Sequence, residues 1–153
     1  MELKFMKAAI KEAKKAAEKD EVPIGAVIVV DGKIVARAHN LMEKTQIATA
    51  HAEILAINKA CKKLKSWRLD NAEMYITVEP CAMCAGAIAN ARIKKVYFGA
   101  FESKSGCAIS KYPVLSDNGL NHSTEFEGGI EQEICANIIK NYFKGKRNRK
   151  SLD

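Results

Sequence analysis

Apolar positions recur at helical spacing near the start of the chain. Phe5, Met6, Ala9, Ile10, Ala13, Ala16 and Ala17 return every three or four residues, with charged residues between them. This spacing predicts an amphipathic helix over residues 4–19. Pro23 and Gly25 break the pattern. Ala26 to Val30 and Lys33 to Ala38 then read as two strands, and the Asp31-Gly32 pair between them is a tight-hairpin signal. A polar stretch from Asn40 to Thr49 leads into a second helix, with Thr49 as its candidate N-cap and Ile54, Leu55, Ile57, Ala60, Cys61 and Leu64 as its apolar stripe. Met74 to Val78 reads as a strand. Pro80 is placed to open a helix over about 81–91, because a missing N–H goes unnoticed in a first turn. Lys95 to Gly99 is the next strand, residues 101–122 are loop-like, and Ser123 to Glu127 is a short strand. Ile130, Ile134, Ile138, Ile139, Tyr142 and Phe143 mark a last helix. After the opening hairpin, strands alternate with helices. The expected fold is α/β, a three-layer α/β/α sandwich around a mixed central sheet.

Composition narrows the class. A chain of 153 residues, 48% of them apolar, suits one domain with a substantial core, so residues 1–153 are expected to form a single domain with a basic tail at about 144–153. No apolar run reaches membrane-spanning length, which argues against a membrane partner. The N-terminus carries no secretory pattern, which points to the cytoplasm. The net charge of +7 is concentrated late, in Lys144, Lys146, Arg147, Arg149 and Lys150. Such a balance suggests a polyanionic partner such as nucleic acid, although a solvated tail accounts for the charge equally well. The five cysteines are odd in number and scattered, which argues against a disulfide framework. Cys81 and Cys84 are close together and read as metal-binding or redox-active, while Cys61, Cys107 and Cys135 are expected to pack in the interior.

Two stretches carry chemistry: His51-Ala52-Glu53 and Pro80-Cys81-Ala82-Met83-Cys84, each opening an expected helix. Catalytic zinc takes three protein ligands from sulfur and nitrogen and keeps one position for water. His51, Cys81 and Cys84 supply three, and neither His39 nor His122 has ligand-like spacing, so the count favours an open site. Thiolates are favoured in a helix's first turn, and the i, i+3 spacing puts both sulfurs on one face. Glu53 lies two residues after His51. On a helix of 3.6 residues per turn those side chains diverge by about 200°, so Glu53 serves better as a proton carrier than as a fourth ligand. Taken singly, each of these residues has an ordinary structural explanation. Together they match the H-x-E…P-C-x-x-C signature of zinc nucleobase deaminases.

The likeness extends beyond that signature. Val22-Pro23-Ile24-Gly25-Ala26-Val27, His39-Asn40, Thr49-Ala50-His51-Ala52-Glu53, Ser66-Trp67-Arg68-Leu69, Val78-Glu79-Pro80-Cys81-Ala82-Met83-Cys84-Ala85-Gly86-Ala87, Val96-Tyr97-Phe98-Gly99-Ala100 and Leu120-Asn121-His122 resemble the bacterial tRNA-specific adenosine deaminases of the cytidine deaminase superfamily. The resemblance covers residues from about 5 to about 147. It implies a cytidine deaminase-like fold, one Zn2+ per subunit, a homodimer, and conversion of adenosine to inosine at the wobble position of a tRNA anticodon stem-loop. By matching positions, it assigns the metal to His51, Cys81 and Cys84, catalysis to Glu53, and substrate contacts to Asn40, Val22, Pro23, Phe143 and Lys146. The chain departs from the family pattern at Ile47-Ala48, Glu102, Ile109, Tyr112-Pro113 and Ser123, all away from the expected ligands. Two other readings share the metal motif: a deaminase of a free nucleobase or nucleoside, of guanine or cytosine type, and an RNA-binding protein with structural zinc.

Overall fold

The computed structural model describes residues 1–115, 119 and 122–152, with only the backbone at 150–152. Leu120 and Asn121 of the family-like Leu-Asn-His segment, and Asp153 of the tail, lie outside the described residues. Helix α1 (Leu3–Glu18) leads into the hairpin of β1 (Gly25–Val30) and β2 (Lys33–His39), as the periodicity predicts. Both hairpin-turn residues have positive φ, 51° at Asp31 and 74° at Gly32, which matches the right-handed twist of the flanking strands. A one-turn helix α2 (Met42–Thr45) interrupts the expected polar loop. Then come α3 (Ala52–Leu64), β3 (Ala72–Val78), α4 (Ala82–Asn90), β4 (Lys95–Ala100), β5 (Glu125–Gly128) and α5 (Gln132–Leu152).

The strands form one mixed sheet in the order β2-β1-β3-β4-β5. β1 runs antiparallel to β2 and β3, while β3, β4 and β5 run parallel. Strand side chains alternate between two cores. Val27, Val29, Tyr75 and Tyr97 face Phe5, Met6, Ala9 and Ile10 of α1 and Cys135 of α5. Ala26, Ile28, Met74, Ile76, Val96 and Phe98 face Ala56 and Ala60 of α3 and Ala85 and Ile88 of α4. This is the expected three-layer sandwich. Small residues set its thickness: a Cβ at Gly25 would overlap the Ala9 carbonyl, so α1 lies directly on the start of β1. Cys107 and Cys135 are buried as expected, and Cys61 is half-buried.

The tail differs from a frayed extension. α5 continues through it to Leu152, since lysine and arginine are good helix formers and no proline intervenes. Asp20 at the α1–β1 turn accepts hydrogen bonds from the Tyr142 hydroxyl and from Arg149, which holds this half of α5 against the body.

Candidate active site

The parallel strands β3 and β4 end at Val78 and Ala100, and antiparallel β1 begins at Gly25 on the same edge. A crevice outside the carboxyl ends of parallel strands is the usual ligand site of an open α/β sheet. A cavity of about 330 Å³ opens there, lined by Val22, Ile24, Val78 and Ala100 from strand ends and turns. His51, Glu53, Glu79 and Cys81 line its floor, Phe101, Glu102 and Ser105 one wall, and Ala136, Ile139 and Phe143 of α5 another.

Two helix starts meet at the floor. The N-cap of α3 is His51, not Thr49. Thr49 instead accepts the His51 N–H through its carbonyl, in a turn before the helix. The N-cap of α4 is Cys81. Both have extended backbones, and neither side chain caps its own helix, so both are free to turn inward. Cys84 follows in the first turn of α4. Its Sγ lies 3.5 Å from His51 Nδ1, and Cys81 Sγ lies 3.7 Å from the same nitrogen. The three ligand atoms lie within 4.8 Å of one another. In a tetrahedron with ordinary zinc–sulfur and zinc–nitrogen bonds, nitrogen and sulfur stand about 3.5 Å apart. The donor set and its spacing therefore fit zinc.

Charge at this floor is already polarised. The Cys84 thiol donates to Cys81, and His51 adds to it, so the Cys81 thiol is pushed down to about 4 despite its burial. The same donation pushes the Cys84 thiol up, with burial and nearby Glu53 adding to it. The contact with Cys81 raises His51. Glu53 is 4% exposed, and burial pushes its carboxyl up to about 7. Among the described residues, two buried side-chain atoms have no hydrogen-bond partner: Glu53 Oε1 and Asn40 Oδ1. A native interior rarely leaves such atoms unmatched unless a ligand or catalytic role supplies the partner.

The other family-matched positions divide. Val22 and Phe143 line the cavity, whereas Pro23 and Asn40 are buried and are not among its lining residues. Lys146 does not reach the cavity; it lines a neighbouring cleft with Lys19, Asp20, Glu43 and Lys44 and donates to the Tyr142 hydroxyl. Sequence reasoning passed over the lining residues Ile24, Glu79, Phe101, Ser105, Ala136 and Ile139. Glu79 had a signal: an acidic residue ends an apolar strand directly before Pro80-Cys81.

Residues 2–147 match the family model of MafB19-like deaminases. The chain is 51% identical to the tRNA-specific adenosine deaminase of Bacillus subtilis (strain 168), over 95% of this chain and 91% of that one. The chain belongs to the tRNA-specific adenosine deaminase family. A solved structure from a study of A-to-I editing by tRNA:A34 deaminases at the wobble position superposes with a TM-score of 0.87 at 42% identity, over 90% of this chain and 99% of that one. A Bacillus subtilis guanine deaminase superposes with a TM-score of 0.62 at 43% identity, over 64% of this chain and 63% of that one. The fit to the tRNA-deaminase structure thus covers nearly all of that chain, whereas the guanine deaminase fit covers under two thirds of its own.

Proposed function

We propose that this chain is a zinc-dependent hydrolase that converts adenosine to inosine at wobble position 34 of a tRNA anticodon. The observation that carries the reading is the buried, unpartnered Glu53 Oε1 beside the converged His51, Cys81 and Cys84, at the floor of a cavity. The family membership supports the choice of substrate. Zinc held by those three residues supplies a Lewis acid that makes water nucleophilic at neutral pH.

The chain's own residues do the rest. Glu53 takes a proton from the attacking water at Oε1 and gives it to the purine ring nitrogen as the C6–O bond forms. It then takes the second proton from that oxygen and gives it to the exocyclic amine, so that the C6–N bond breaks, ammonia departs and the C6 carbonyl of inosine remains. Asn40 Oδ1 waits for a donor and is read as a hydrogen-bond partner of the base. Val22 and Phe143 flank the cavity and exclude water, and the Phe143 ring offers a stacking surface for an unpaired base. An anticodon nucleotide is already unpaired, so bringing it out of its stack costs less than in a duplex. Lys146 and the basic turns that follow Phe143 along α5 would meet phosphates of the bound RNA.

We also infer one zinc per subunit, a homodimer and a cytoplasmic setting. Exposed Leu64, Trp67, Met83, Ile109 and Tyr112 offer the apolar area that a second copy could cover, and light scattering of the purified protein tests this.

The deciding experiment incubates the zinc-loaded protein with an anticodon stem-loop bearing adenosine at the wobble position, and in parallel with free guanine and cytidine. Adenosine-to-inosine conversion read by sequencing is the expected result. Faster ammonia release from guanine or cytidine would overturn the tRNA reading. One mole of zinc with no turnover of any substrate would replace it with a structural-zinc RNA binder.

A further inference from the structure

Glu79 is 3% exposed and makes no contribution to the chemistry above, yet its carboxylate is the most heavily used acceptor near the site. Oε2 accepts the consecutive backbone N–H groups of Ala108, Ile109 and Ser110 at 3.1, 2.9 and 2.8 Å. Oε1 accepts the Glu102 N–H at 3.0 Å and the Ser110 hydroxyl. Successive N–H groups converging on one point form an anion nest, a feature that ordinarily binds a free anion. Here the chain supplies the anion itself. Gly106 is wrapped so closely over the carboxylate that a Cβ would overlap it. The nested segment also carries Phe101, Glu102 and Ser105, one wall of the cavity. Apart from the Cys107 N–H to the Pro80 carbonyl, this loop's other backbone bonds are internal, such as Gly106 to Glu102 and Lys111 to Gly106.

The geometry points to Glu79 as a positioning residue that holds loop 101–110 in its substrate-competent form and so sets the affinity for RNA. The inference rests on the deaminase reading and goes beyond it. A loop that is competent only part of the time weakens apparent affinity by the competent fraction, whereas bound substrate restores the ordered form. Loss of the anchor therefore raises KM and leaves kcat nearly intact. A merely destabilised fold does the opposite: it lowers the active fraction, and hence apparent kcat, at constant KM.

The test uses zinc-loaded wild type, Glu79→Gln and Glu79→Ala with an anticodon stem-loop substrate. The amide of Glu79→Gln places a donor against donors on one side, and KM should rise about tenfold if the loop is competent a tenth of the time. kcat should stay within about threefold and zinc at one equivalent. Glu79→Ala empties the nest, and millimolar formate, a carboxylate small enough to enter it, should bring KM back toward wild type. Unchanged KM in both variants, a fall in kcat alone, or zinc loss would overturn the proposal. If Glu79→Ala does not fold, Glu79→Gln decides. Inactive wild type would instead indict the deaminase reading.

Discussion

Replacing Glu53 by Gln preserves side-chain size and removes the ability to carry a proton. Its Oε1 has no partner in the folded chain, and its hydrogen bonds with the Cys84 thiol and with its own backbone N–H can be accepted by the amide oxygen of Gln, so the change leaves the surrounding contacts in place. A positioned acid–base group contributes about 10²- to 10⁴-fold. Both the ring protonation and the amine departure run through this one carboxyl, so the loss should lie near the upper end, about 5 kcal/mol of barrier. The same substitution should not weaken the fold. Burial raises the Glu53 carboxyl from 4.5 to about 7, so the folded chain resists its ionisation. That penalty is full above about pH 7 and fades as the pH falls toward the unfolded value, where both states are protonated. A neutral amide is free of it, and the variant should gain up to about 3 kcal/mol at the alkaline end. A cation bound nearby favours the carboxylate and reduces that gain. The assay is single-turnover inosine formation, metal content, and urea midpoints measured above and below neutrality. A loss of activity under tenfold, or a loss of zinc, would refute the proton-carrier role. A variant less stable than wild type above neutral pH would refute the account of the buried charge.

Other consequences follow from the same contacts. Cys84→Ser and His51→Ala each remove one of the converged ligand atoms, so bound zinc measured by atomic absorption should fall well below one equivalent and deamination should vanish with it. Gly25→Ala forces α1 off the sheet through the Ala9 carbonyl and should lower stability by about 1–3 kcal/mol, seen as a drop of several degrees in the melting temperature. Glu12 is buried, which alone would raise its carboxyl, but hydrogen bonds from Lys15 and His39 hold it below its ordinary 4.5. Its stabilising share is thus present above the unfolded value and lost as the pH falls through the folded one, so Glu12→Gln should flatten the acid limb of a stability–pH curve. Truncation after Phe143 removes Lys144, Lys146, Arg147, Arg149 and Lys150 and should reduce the slope of log affinity against log salt for a single-stranded loop by up to about 3.

The elements legible in the sequence were those with strong period and sharp punctuation. α1 has a clear apolar period, the hairpin is pinned by Asp31-Gly32, and α4 is announced by Pro80; each appears within a residue or two of its expected place. The convergence of His51, Cys81 and Cys84 is legible for the same reason: His51 and Cys81 sit at helix starts, where the backbone is extended and the side chain is free. Thr49 misled because its residue type suits an N-cap, while the turn it forms moves the cap two residues on. The cavity walls were hidden because they come from distant segments. Ala136 and Ile139 read as ordinary core positions of a helix and become lining only when α5 crosses the strand ends. Glu79 was hidden because its partners are backbone N–H groups 23–31 residues away, which carry no residue-type signal.

This contrast separates the reaction from the choice of substrate. The proposed metal ligands and Glu53 are fixed by two helix starts docked on a buried sheet edge, where a displacement would break core packing. The cavity wall at 101–105 is held by the Glu79 carboxylate, by Phe101 against Phe98 and by the buried Cys107 and Ala108 that follow it, and the outer turn of that loop presents Ile109 and Tyr112 at 57% and 61% exposure. Those two positions are among the chain's departures from the family pattern; their side chains project into solvent, and Ile109 meets the anchor only through its backbone N–H. Substitutions there can change what meets the RNA while Glu79 keeps the inner wall in register. Exchanging Ile109 for glycine and Tyr112 for alanine together should therefore shift KM among stem-loops of different sequence and leave kcat and zinc unaltered. A matching fall in kcat on every stem-loop would mean that the loop bears on the chemistry after all.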